Sequence, residues 1–317
     1  MIALGLALLF QGMEGMNGGG TLLAPSIGAR SLTFPWALAV AALAMVASPL
    51  IFGTHVAETI TSSMVTFPKS ETETALTGAL SGAIVSVIVA TWRKVPTSMS
   101  VAIVGGLVGS ALAIHSPIHL LGVARVLFGI VLALVAGFVL GDLAFRAWRS
   151  LGRRFDRKGG ERLMRLQSMA LALQGFAYGA NDAEKTMGLL AWILSASPLA
   201  ASHIGLPIIL VSSAAWIIGT LIGGVELAAS MGYRVFRMRA LHALAVQSAA
   251  SLTVIAAAIL GNPVSSTQTI NSSLLGVGAA DRPRAVRWLV TRDMAIALAI
   301  TGPLAATFSF VATKLLV

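Results

Sequence analysis

Ten apolar stretches follow one another along the 317-residue chain, at about residues 1–27, 33–62, 74–92, 98–115, 118–147, 166–194, 202–228, 240–261, 264–280 and 293–317. A helix crosses a bilayer with about 20 mostly apolar residues, and hydrocarbon offers no partner to a free N–H or C=O. The chain is therefore expected to be an all-α integral membrane protein. Its charged fraction of 11% and mean hydropathy of +0.87 agree, since a soluble domain carries roughly 25% charged residues. The net charge of +10 would suit nucleic acid, but the basic residues gather in short loops between apolar stretches. The positive-inside rule explains them better, and no nucleic-acid partner is expected. The absence of cysteine excludes disulfides, thiol catalysis and cysteine metal sites. The opening residues, MIALGLALLFQGMEGMNGGG, have no basic lead and no small-residue cleavage site. They read as a membrane segment and not as a signal peptide.

Five stretches lie on each side of the basic segment RSLGRRFDRKGGERLMR, residues 149–165. The expected organisation is a first repeat over 1–147, a linker over 148–165 and a second repeat over 166–317. With the linker in the cytoplasm, alternation also places Arg93 and Lys94, then Arg234, Arg237 and Arg239, and Arg282, Arg284 and Arg287 inside. The loops SETETA, HSPIH, SASPLAASH and GNP, nearly free of positive charge, fall outside, as do both termini. The membrane is expected to be the plasma membrane.

The two halves match in register. Asn17 in GMNG pairs with Asn181 in GAND (181−17 = 164), Thr54 in FGTH with Thr220 in IGTL (220−54 = 166), and Ser98 in PTSMS with Ser265 in PVSST (265−98 = 167). An odd number of crossings per half makes the second copy enter the membrane from the opposite side. Inverted repeats of about five segments, with discontinuous helices or re-entrant hairpins forming a midplane site, are the architecture of secondary transporters.

Three polar clusters interrupt the apolar pattern. In GFAYGANDAEKTMGLL, residues 175–190, Gly175, Gly179 and Gly188 permit close packing or a backbone break, whose freed N–H groups would need a polar partner. Asp182 reads as functional ahead of a structural pairing with Lys185, because a carboxylate in a membrane is costly unless paired or solvated. For Glu184 and Lys185, a site role and a snorkelling or mutually paired role both stay open. In GNPVSSTQTINSSLLG, residues 261–276, a proline precedes Ser265, Ser266 and Thr267. Free first-turn N–H groups, the helix dipole and these hydroxyls together make an anion seat. Its copy, Ser98 and Ser100 after Pro96, approaches by inversion from the opposite leaflet, although simple interhelical bonding by serine is the blander reading. Segments 98–115 and 264–280 are short, which leaves crossings and re-entrant hairpins both open. In QGMEGMNGGGTLL the first half keeps Asn17, but Gly18 stands opposite Asp182, Thr21 opposite Lys185 and Glu14 opposite Tyr178. Glu58 and Glu226 read as solvated or paired acids.

Hydroxyls, amides and helix N-termini suit an oxyanion, which a carboxylate would repel. The conflict resolves if a cation binds too: Na+ held by Asp182 with backbone carbonyls, or a proton on Asp182 or Glu14. Each ligand then favours the other, and coupled symport follows. An enzyme is not expected: Ser265 and Asp182 lack an intramembrane His, and Lys185 is the sole candidate base.

GANDAEKTMG, the downstream PVSSTQTINSSLLGVG and the degenerate GMNGGGT and PTSMS copies resemble the inorganic phosphate transporter (PiT) family over nearly the whole chain. The resemblance implies symport of inorganic phosphate with a cation, Na+ or H+, without a cofactor, and a dimer in the lipid membrane. By position it implies substrate ligands at Asn17, Ser98, Ser100, Asn181, Asp182, Ser265, Ser266 and Thr267. It implies coupling-cation ligands at Asp182, a Na+ ligand, and Asn181, with Glu14 one turn from Gly18 as the replacement for a missing carboxylate. The family usually has Asp where this chain has Gly18, Asn where it has Thr21 and His where it has Tyr178, and its PVSTTH becomes PVSSTQ and PTSMSV. These departures leave room for a related oxyanion such as sulfate, or for a non-transporting receptor or partner subunit on the same fold.

Overall fold

The computed structural model describes residues 1–92, 97–152, 159–195, 204–231 and 238–317. The topological placing of Arg93, Lys94, Arg234, Arg237, the middle of the linker and most of SASPLAASH falls outside the described residues.

Among the described residues, helices occupy the ten expected stretches, one of which is split in two. α1 (Ile2–Glu14) passes through a π turn at Gly15–Gly19 into α2 (Gly20–Gly28). α3 (Phe34–Phe52) and α4 (His55–Ser62) are followed by α5 (Thr72–Trp92), α6 (Met99–Ala113) and α7 (Leu120–Gly152). The second half repeats the order: α8 (Gly159–Tyr178), a π turn at Gly179–Ala183, α9 (Glu184–Ser195), α10 (Leu206–Gly219), a π turn at Thr220–Gly224 and α11 (Val225–Met231). It closes with α12 (Ala240–Ile259), α13 (Ser266–Asp281) and α14 (Leu289–Leu316). Residues 149–152 end α7 and 159–165 begin α8, so much of the basic linker is helix. Among the described residues there is no strand, only an isolated bridge between Val65 and Ile118.

The break that the glycines of GFAYGANDAEK permitted is not there. A π turn carries the chain through Gly179–Ala183 without interruption, which keeps backbone groups paired inside the membrane while inserting one extra residue. The real break falls between α3 and α4, where Gly53 has φ +81°.

Each half gives its elements to the other. α14 packs on α5 and α6 of the first half, and α7 packs on α12 and α13 of the second. Likewise α1 and α2 lie along α10 and α11, and α8 and α9 lie along α3 and α4. Glycine makes these crossings close: a Cβ on Gly15 would fall 2.1 Å from the Trp216 carbonyl oxygen, an approach that small residues alone permit. The outer face is apolar, with Leu120, Leu121, Phe128 and Val135 of α7 exposed. Glu14, Asp182, Glu184 and Lys185 are buried. This inside-out distribution suits lipid as the solvent.

Six of the described helices are long and apolar enough to cross a membrane: Phe34–Phe52, Thr72–Trp92, Leu120–Leu151, Leu206–Ala228, Ala240–Ile259 and Leu289–Leu316. α6 and α13, with 15 and 16 residues, are about 23 Å long at 1.5 Å per residue. Neither alone spans a hydrocarbon core of about 30 Å.

Candidate functional site

The starts of the two short helices meet. The Ser100 hydroxyl, in the first turn of α6, donates to the Val264 carbonyl just ahead of α13 at 2.8 Å. Two positive helix ends from opposite halves thus converge on one buried point.

Lys185 sits at that point. Its ammonium donates to Asp182 Oδ1 at 2.7 Å, to Ser100 Oγ at 2.5 Å and to the Val264 carbonyl at 2.7 Å. Lys185 is 1% exposed and Asp182 5%, so the pair is occluded in this conformation. The π turn ends one residue before α9 begins, which sets Asp182 and Lys185 across the junction and lets them bond at i,i+3. The pairing weighed against a functional Asp182 is therefore present, and it lies within the predicted site.

Asn181 holds the segment that leads into α13. Its Nδ2 donates to the Asn262 carbonyl at 2.9 Å, and its Oδ1 accepts from Val264 N at 2.9 Å. One amide side chain thus brackets Pro263, whose missing N–H could not serve. Pro263 lies three residues before the first residue of α13. It shapes an extended lead-in and does not occupy the first helical position, where the expected anion seat would have put it.

The hydroxyls divide. Ser98 caps α6 by accepting from Val101 N at 3.4 Å, and Ser100 is engaged by Lys185 and Val264. On α13, Ser265 stands at the N-cap without a side-chain cap bond. The buried Ser266 hydroxyl has no partner among the described residues, and Thr267 is half-buried. The start of α13 is thus the less committed of the two seats, with first-turn N–H groups that no preceding helical carbonyl can accept. Two acids here are also half-committed: Asp182 Oδ2 and Glu14 Oε2 are buried with no hydrogen-bond partner among the described residues. Glu14 lies within electrostatic range of both Asp182 and Lys185.

Asn17 is not drawn into this arrangement among the described residues. It is half-buried, and its Nδ2 donates to Met13 O of its own helix at 3.2 Å. Thr21, opposite Lys185 in the repeat, bonds back to Asn17 O at 2.9 Å. Asn17 and Thr21 of the first-half copy therefore turn back on their own helix, while the second-half copy supplies the ion pair.

Glu184 has a separate task. Its Oε1 accepts from Val56 N at 2.9 Å and Ala57 N at 3.2 Å, which satisfies the opening of α4 after the break at Gly53. The break and its carboxylate cap come from opposite halves, a pairing that spacing along one motif cannot reveal. Glu184→Ala is expected to cost about 2 kcal/mol, because it leaves buried N–H groups unmet. Hydrogen exchange on residues 55–62 should accelerate, whereas Glu184→Gln, which keeps an acceptor, should change it far less.

Sequence reading left Lys185 open, missed the buried Gln11 and Gln174, and registered Gln268 only as the departure from PVSTTH to PVSSTQ. The side-chain amides of Gln11, Gln174 and Gln268 are buried, with no partner for either polar atom among the described residues. The signal was available, since a glutamine within an apolar stretch is itself a costly choice. Glu58 and Glu226 are exposed, as expected of solvated acids.

Comparison with known proteins adds four findings. The model of the phosphate transporter family matches residues 14–171 and again residues 152–309. The chain is 33% identical over 309 residues to a probable low-affinity inorganic phosphate transporter of Rhizobium meliloti (strain 1021), covering 96% of this chain and 92% of the relative. It is 28% identical over 312 residues to a protein of the same description from Bacillus subtilis (strain 168), covering 96% and 93%. A solved structure described as the sodium-dependent phosphate transporter superposes with a TM-score of 0.87 at 19% identity, covering 99% of this chain and 98% of the other. That likeness establishes the fold.

Proposed function

The chain belongs to the phosphate transporter family, a family of transporters and not of enzymes, and from that premise we propose that it carries inorganic phosphate across the membrane in symport with a cation. The observation that carries this reading is the meeting of α6 and α13 beside Lys185, where the Ser100 hydroxyl reaches the Val264 carbonyl. Two helix N-termini, an ammonium and the hydroxyls of Ser265, Ser266 and Thr267 favour a tetrahedral oxyanion. Asp182 would repel it if unpaired, and Lys185 removes that repulsion. This reading keeps the plasma membrane as the location, with both termini outside and residues 148–165 in the cytoplasm by the positive-inside rule.

Glu14 is the residue assigned to the coupling cation. It is 2% exposed, with Oε2 unpartnered among the described residues, and a buried carboxylate that takes up a proton carries no charge to repel the anion. The cation in this reading is H+.

The test is uptake of ³²P-phosphate into proteoliposomes under H+ and Na+ gradients imposed separately. Uptake driven by the inward H+ gradient is expected, and no uptake under either gradient would remove phosphate as the substrate. Competition by excess sulfate decides between the two oxyanions. Glu14→Gln is expected to lower H+-driven uptake at least about tenfold while leaving phosphate counterflow measurable, since typical site couplings are about 5–150-fold. Unchanged gradient-driven uptake would sink the role of Glu14.

A further inference from the structure

The Lys185 ammonium is held by one carboxylate oxygen, one hydroxyl and one main-chain carbonyl, at 2.7, 2.5 and 2.7 Å. These ligands come from three segments: Asp182 from the π turn, Ser100 from α6 and Val264 from the lead-in to α13. Carboxylate, hydroxyl and carbonyl oxygens are also the donor types that a hard cation prefers. It is the shell that sequence reasoning reserved for Na+ on Asp182 with backbone carbonyls, and an ammonium fills it.

We infer that Lys185 is a built-in cation of the substrate site, occupying the place beside Asp182 that a mobile Na+ would take. The inference deepens the phosphate reading above and rests on it for the identity of the anion. A mobile cation neutralises Asp182 only when its concentration is high enough, whereas a tethered ammonium does so at every ionic composition. Asp182 and Lys185 then form a neutral pair at the two helix N-termini, and the incoming anion meets no uncompensated carboxylate there. Glu14 lies in electrostatic range of both members of the pair, and Glu184, in range of Lys185, commits its Oε1 to the opening of α4. The repeat-equivalent position in the other half carries no ammonium: Thr21 stands opposite Lys185 and bonds within its own helix. Removing the Lys185 side chain while keeping Asp182, Ser100 and Val264 leaves oxygen ligands and an uncompensated negative charge. That remnant is a Na+ site.

The experiment is ²²Na+ binding to purified full-length protein in detergent, alongside phosphate uptake with Na+ replaced by choline. Wild type is expected to show no Na+ binding that depends on Asp182 and equal uptake in Na+ and choline. Lys185→Ala should acquire saturable ²²Na+ binding that the added change Asp182→Asn abolishes. Its uptake should rise about tenfold when Na+ is supplied, within the usual range of site coupling. Asp182-dependent Na+ binding by wild type would overturn the inference. So would a Lys185→Ala protein that unfolds at the wild-type temperature yet binds no Na+. Lys185→Asn, which keeps a polar side chain, replaces Lys185→Ala if the latter does not fold, and the wild-type measurement decides independently of either. Since ²²Na+ binding reads the cation place whatever the anion is, absence of phosphate uptake in every arm counts against the substrate and not against the assignment of Lys185.

Discussion

Asp182→Asn is expected to reduce phosphate uptake to the level of empty liposomes and to destabilise the protein by about 3–5 kcal/mol, the usual cost of removing one partner from a buried ion pair. The change is nearly isosteric, so packing should survive. What is lost is the charge that balances an ammonium 1% exposed to solvent and held at 2.7 Å. The amide that replaces the carboxylate could still accept a hydrogen bond, but the positive charge of Lys185 would face two helix N-termini without a counter-ion. The double change Asp182→Asn with Lys185→Met separates the two losses. It should recover most of the thermal stability, because replacing both members of a buried pair by groups of similar volume is often neutral. It should recover none of the uptake. Thermal unfolding in detergent and ³²P uptake on the same preparations make the comparison, and a double variant no more stable than Asp182→Asn would defeat the account of the pair.

That double variant also marks the boundary of what the chain discloses before it is folded. The ten stretches were legible because bilayer crossing imposes length and polarity on each segment separately. The pairing of the halves was legible because duplication leaves Asn, Thr and Ser at matching offsets. Asn181, Asp182, Ser98, Ser100 and Ser265 stood out for the same reason, as polar choices made twice or made expensively. Partners were a different matter. Glu184 reaches Val56 and Ala57 across 128 and 127 residues, and Lys185 reaches Ser100 across 85. No local period encodes those distances. Adjacency in sequence made mutual neutralisation of Glu184 and Lys185 one open reading, yet they are turned to different helices. The π turn was hidden too, since Gly179 and Asn181 are compatible with a break, a close crossing or a bulge. Which one forms depends on α3 lying against that turn, with Met45 and Ser48 at Gly179.

Gly18 shows how a departure that looks like a loss is one half of a pair. A Cβ on Gly18 would lie 2.6 Å from Tyr178 Oη and 3.0 Å from its Cε2. Tyr178 has little room to yield: it is 2% exposed, its ring lies 5.5 Å from that of Trp216, and its hydroxyl donates to Glu14 O at 3.4 Å. The tyrosine thus takes the volume that an acidic side chain at position 18 would need, and it does so from the position where Glu14 stands in the other half. Gly18→Asp is therefore expected to be strongly destabilising. Overpacking alone costs about 1–3 kcal/mol, and an added buried carboxylate without a partner costs several more. Gly18→Ala isolates the steric part and should lower stability by about 1–3 kcal/mol. Combining Gly18→Asp with Tyr178→His, a smaller ring, should restore folded protein that Gly18→Asp alone does not give. Size-exclusion profiles and thermal unfolding of the three variants are the measurement. If Gly18→Asp is as stable as wild type, Tyr178 does not fill that space. If the double variant is no better than the single, the two positions are not coupled, and the absence of the first-half carboxylate has no steric cause.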